Sequence, residues 1–166
     1  MQLDRSGEID KGKVMSPAME MLKKSVSDDR AQIETLMANL ANAWNRHDGV
    51  AFAACFGAAA DFVNVVGMHL SGRQEIEQIH VRLHQTVMRN SRLQLLSHVI
   101  RFLTETVAIA HVKWAQEGHE PPPGWNLSEV RQGLLTLVIQ KESETWKIAA
   151  GHNTDIVLCA SKFECD

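Results

Sequence analysis

The chain has 166 residues, of which 45% are hydrophobic and 22% charged, and it carries a net charge of −3. Those values fit a single globular domain and exclude wholesale disorder, and the mildly acidic balance leaves no cationic footprint for nucleic acid or an anionic membrane surface. Its apolar runs, such as Leu134 to Ile139, are far too short to cross a bilayer, and the charged N-terminus lacks a signal-peptide core, so a cytoplasmic protein without a membrane partner is expected.

Residues 1–27 mix charges, Ser and Met without sustained periodicity and are expected to form an N-terminal extension. Within it, Met15-Ser16-Pro17 can open a short helix through Met19, Met21 and Leu22. From Ser27 the pattern changes. Ser27 and Asp28 offer capping oxygens, and Ile33, Leu36, Met37, Leu40 and Trp44 then follow on one helical face. Asn45 to Gly49 reads as the end of that helix, with Asp48 placed to cap a second, short one whose apolar side is Val50, Phe52, Ala53 and Phe56.

Asp61-Phe62-Val63-Asn64-Val65-Val66 reads as a strand buried on both faces, with Asn64 an amide in the middle of it. A turn at Gly67 leads to a short partner strand. Ser71-Gly72 then opens a third helix whose stripe is Ile76, Ile79, His80, Leu83, His84 and Val87. After Asn90 the period changes to two. Strands are expected near 93–103, 107–115, 133–139 and 146–154, with hairpin turns at Thr104-Glu105 and Lys141–Glu144. The stretch 116–129 contains Pro121-Pro122-Pro123, which cannot sit in a central strand, so it reads as a stiff loop at a sheet edge. A plain connection is its first reading, and a flap over a pocket mouth with Trp125 as the contact is the alternative. A single domain over 28–158 and a tail at 159–166 complete the layout.

Helices first and antiparallel strands afterwards define an α+β domain: a strongly curved antiparallel sheet with three helices on its concave side. A sheet curved that far encloses a pocket between the helix stripes and its inner face. His80 is the candidate general base or acid of that pocket, since an imidazole titrates near neutral pH. Asn64 and His152 are candidates to orient or polarise a ligand oxygen, His152 because it alternates onto one face with Trp146, Ile148 and Ala150. Trp44 and Trp114 are candidate walls. His111 and Lys113 alternate against Trp114 onto the outer face, where a dimer interface is expected, and Arg131 reads as a surface ion-pair partner. Cys55, Cys159 and Cys165 are odd in number and lack CxxC spacing, which argues against disulfides or thiolate zinc and makes Cys55 a small core hydrophobe. The pairs His80/His84 and Glu77/His80 have ligand-like helical spacing but no HExxH context, so neither metal nor cofactor is expected.

The spacing of Ala43-Trp44-Asn45, His47-Asp48, Phe52-Ala53, Phe56, Asp61 to Gly67, Gly72-Arg73 and Ile79-His80 resembles the small bacterial SgcJ/EcaC-type proteins, SnoaL-like members of the nuclear transport factor 2-like superfamily. Pro121 to Trp125 and Ala149 to Thr154 are similar to the same family's closing segments. The resemblance spans about Ile33 to Asp155. It implies a cone-shaped α+β barrel with a deep pocket, a homodimer through the outer sheet face, and a small-molecule ligand. Relatives of this kind include isomerases, cyclases, dehydratases, hydrolases and non-catalytic binding domains, so the implied activity is proton-transfer chemistry on an apolar or polyketide-like ligand, or ligand sequestration without catalysis. The steroid-isomerase donor constellation does not carry over, because the chain has no tyrosine. The oxidoreductase label attached to the family name has no GxGxxG fingerprint here to support it.

Overall fold

A computed structural model describes residues 16–120, 124 and 128–156. Trp125 of the Pro-rich loop, the first fifteen residues and the tail from 159 lie outside that set. The element order is α1 (Pro17–Asn45), α2 (Gly49–Ala53), β1 (Phe56–Val63), β2 (His69–Ser71), α3 (Arg73–Gln85), β3 (Arg92–Phe102), β4 (Val107–Glu117), β5 (Val130–Glu142) and β6 (Thr145–Asp155). The six strands form one curved sheet in the order β2-β1-β6-β5-β4-β3, giving the α+β architecture expected. No helix among the described residues is long and apolar enough to cross a membrane.

Two expected boundaries move. α1 is a single helix of 29 residues that starts ten positions before Ser27: Ser16 accepts the Met19 amide, and Pro17 occupies a first-turn position where its missing N–H is no loss. Ser27 and Asp28 therefore sit in mid-helix. Met19, Leu22 and Val26 stand exposed on it, and burial begins only at Asp29, Ile33, Leu36 and Met37. Phe56, expected on the second helix, instead opens β1, because α2 ends at Ala53 and the backbone turns at once into the sheet. Asp48 caps α2 as expected, its Oδ1 accepting the Ala51 amide at 2.8 Å.

The sheet is also not wholly antiparallel. β1 runs parallel to β6, while its partner β2 and the β3–β6 meander are antiparallel. The core lies between the inner sheet face and the helices: Ile33, Met37 and Leu40 of α1, Phe52 and Ile76 of the shorter helices, and Phe56, Phe62, Leu137, Ile139 and Ile148 of the sheet are all buried. Asn45 fastens the end of α1 to β3 as a surrogate strand, its Nδ2 donating to the Leu93 carbonyl at 2.9 Å and its Oδ1 accepting the Leu93 amide at 2.8 Å.

Asn64 lies just beyond β1, not within it. Its Oδ1 accepts the amides of Val66 at 3.1 Å and Met68 at 2.9 Å, which folds the chain into β2. The Asn64 side chain is thus committed to a turn and does not point into the concave side as expected. Asn64→Ala should cost about 1 kcal/mol in urea unfolding, from two lost side-chain-to-backbone bonds at a partly exposed site. Ligand affinity should be unchanged, and a large loss of affinity would restore the pocket assignment.

Candidate functional site

The concave side is built around His80. α3 presents its imidazole inward, 3% exposed, stacked on Phe52 at 4.1 Å between ring centroids and edge-on to Phe62 at 5.8 Å and Trp44 at 6.1 Å. Nδ1 donates to the Ile76 carbonyl at 2.7 Å. Because that partner is a carbonyl, Nδ1 must carry the proton, and the lone pair resides on Nε2. Burial pushes the His80 pKa down to about 4, against the opposing Ile76 hydrogen bond, so the ring is neutral at physiological pH. His80 therefore offers a hydrogen-bond acceptor. A proton taken up there at pH 7 is held about 3 pH units out of equilibrium, roughly 4 kcal/mol, which makes the ring a poor resting base.

One turn on, His84 is also buried, edge-on to Trp44 at 4.8 Å and to His47 at 5.4 Å, and among the described residues neither of its ring nitrogens has a well-formed hydrogen bond. Burial first, then the neighbouring His47, lowers its pKa to about 4. Trp44 packs edge-on against both imidazoles, and its Nε1 donates to Ser91 Oγ at 3.0 Å. Among the described residues, no three His, Cys, Asp or Glu side chains converge as a metal site.

Trp114 also faces inward, lying so close over Gly133 that a Cβ there would stand 2.1 Å from the indole ring. Its Nε1 donates to Asn153 Oδ1 at 2.7 Å. His152, expected inward, is exposed on the outer face instead. The reason is a bulge: Ile148 pairs with Ile139 but Ala150 pairs with Val138, leaving Ala149 as an extra residue that inverts the alternation of β6. After the bulge, Gly151, Asn153 and Asp155 follow one another along the inner face, and His152 lies beside Thr136 on the outer one.

Further along that inner face is a polar cluster that the alternation rule missed. Arg131, expected on the surface, is 8% exposed; it donates to Gln116 Oε1 at 3.0 Å and to both Asp155 oxygens at 2.8 and 2.9 Å. Its Nε and the Nδ1 of nearby His119 are buried without a hydrogen-bond partner among the described residues. Burial and the Arg131 charge together lower the His119 pKa. The one available signal was Arg131 opening a strand in phase with Gly133, Leu135 and Leu137, all inner-face residues.

No family model and no curated protein matches the chain. Solved structures do. A domain of unknown function with a cystatin-like fold from Nostoc punctiforme is 31% identical, with 82% of each chain covered and a TM-score of 0.70. An uncharacterised cystatin-like protein from Caulobacter vibrioides is 27% identical over 81% of this chain and 94% of that one, with a TM-score of 0.75. An NTF2-like protein with a cystatin-like fold from Novosphingobium aromaticivorans is 15% identical, covers 89% of this chain and 95% of that one, and has a TM-score of 0.74. Both the chain's fold and its identity to the Nostoc domain lead to one assignment: it belongs to the same family as that domain of unknown function, with a cystatin-like α+β fold.

Proposed function

We propose that the protein is a SnoaL-like small-molecule-binding protein of the SgcJ/EcaC type that holds an apolar, oxygen-bearing ligand on the concave side of the sheet. The observation that carries this reading is the neutral His80, its Nε2 lone pair without a partner among the described residues, inside a box of Trp44, Phe52 and Phe62. An acceptor held in an aromatic environment suits a ligand hydroxyl, with the ring faces taking up the apolar body. Asn153 takes the orienting role first given to Asn64 and His152. Proton transfer at His80 is the second reading, favoured by the fixed tautomer and opposed by a pKa of about 4.

The test is a thermal-shift screen against lactones, steroids, aromatic polyketides and small acids. A ligand at about a hundred times its dissociation constant adds about 2.7 kcal/mol, a rise of about 5–10 °C for a domain of this size. The rise should be lost in His80→Leu with the free variant still folded. No shift from any compound, or shifts equal in wild type and His80→Leu, would overturn the concave-side reading.

The same proposal includes a homodimer through the outer face. There Arg101, Ile109, Val138, Ala150 and Asp61 stand in one row across five strands, and Val99, 67% exposed, His111, Thr136 and His152 stand in the next. A row with a cation at one end, apolar residues between and an anion at the other is complementary to its own two-fold copy. Val138→Glu, with its charge in the middle of that row, should convert a dimer to monomers in analytical ultracentrifugation; an unchanged mass would remove the interface from this face.

A further inference from the structure

A groove lies away from His80. α1, α2 and the start of β6 enclose a groove of about 610 Å³, within the size range of small-molecule sites. Leu36, Ala51, Cys55 and Trp146 make its floor, and Arg46 and Lys147 stand at its rim. Its lining includes no Asp or Glu, and it shares no residue with the aromatic box around His80.

The charges in reach are one-signed. Arg46, at the C-cap of α1, is exposed and makes no ion pair among the described residues. Lys147 donates one Nζ proton to the Ala54 carbonyl at 2.7 Å, leaving two others. Of the acids on the flanking elements, Asp29 is held by Lys141 and Trp146, Asp48 caps the first turn of α2, and the Glu142 carboxylate lies against Gly57 outside the lining. An apolar floor under two cations, with no competing carboxylate, matches one kind of occupant. We propose that this groove binds a free amphipathic carboxylate, its alkyl or aryl body against Trp146 and Leu36 and its head between Arg46 and Lys147.

Calorimetric titration with decanoate, decanol and decyltrimethylammonium tests it. Decanoate should bind at least about tenfold more tightly than decanol, a difference of about 1.4 kcal/mol, and the cation should not bind. Arg46→Gln and Lys147→Gln should each remove most of the decanoate advantage while leaving decanol unchanged. Ala31→Phe, which fills the groove from the exposed face of α1, should abolish both. His80→Leu should alter neither, which separates this site from the concave one. The proposal is overturned if decanoate and decanol bind alike, if Ala31→Phe leaves decanoate binding intact, or if binding is lost only in His80→Leu. Adsorption to phosphatidylglycerol vesicles without decanoate binding would equally overturn it, in favour of a membrane surface.

Discussion

Between about pH 7.5 and about pH 4 the fold should lose about 3 kcal/mol through His80 alone. The unfolded imidazole titrates at 6.5 and the folded one at about 4, so over this range the unfolded chain binds the extra proton. Stability from this source is complete above pH 6.5 and is lost as the pH falls toward 4. His84 acts in the same direction, its pKa lowered to the same value. Urea unfolding at the two pH values, in wild type and in His80→Leu, isolates the contribution. The variant is less stable or more stable at neutral pH according to how leucine packs on Phe52, but its pH dependence should be smaller than that of wild type by about 3 kcal/mol. Parallel pH curves would mean that His80 is protonated as easily in the fold as outside it, and that the ring is not sealed among its aromatic neighbours.

Asp29→Ala is expected to destabilise the protein by about 2 kcal/mol, chiefly by stranding the indole N–H of the buried Trp146. Asp29 is the first buried residue of α1, and its Oδ1 accepts both Lys141 Nζ at 2.8 Å and Trp146 Nε1 at 2.9 Å. It ties the helix to both strands of the last hairpin. Burial pushes its carboxyl pKa up, but the two hydrogen bonds and the Lys141 charge outweigh that and hold it below the ordinary value. Lys141 can swing toward Glu144, 4.0 Å away, when its partner is removed; Trp146 cannot. Trp146→Phe in the Asp29→Ala background should therefore recover part of the loss, whereas Lys141→Met should recover less. Equal recovery by both would place the energy in the ion pair.

The parts of this fold legible in the sequence are those where periodicity is enforced by burial. The stripe Ile33, Leu36, Met37 and Leu40 and the position of His80 on α3 follow from a period of 3.6 facing one core. What was not legible has three separate causes. The beginning of β1, Phe56 followed by Gly57-Ala58-Ala59-Ala60, carries almost no strand propensity and is held by pairing with β6. The start of α1 was decided by two competing caps, and Ser16-Pro17 prevailed over Ser27-Asp28 because the helix could continue through both. Asn64 was read by alternation at a place where alternation had already ended in a turn. On the concave side, His80, Trp44 and Trp114 face inward, Asn64 is held in a turn, and β6 turns Asn153 inward where alternation places His152.

The inward turn of Asn153 in place of His152 rests on one residue, Ala149. Two relatives could share every letter from Gly151 to Asp155 and still differ in which chemistry, amide or imidazole, their interiors present, if one of them lacks the extra alanine. A single codon inserted or deleted ahead of the segment would act as a frame change for the inner face of the sheet without altering the composition of the segment itself. Comparing the interiors of relatives with this fold therefore requires strand register, read from coordinates, before any residue is matched to its counterpart.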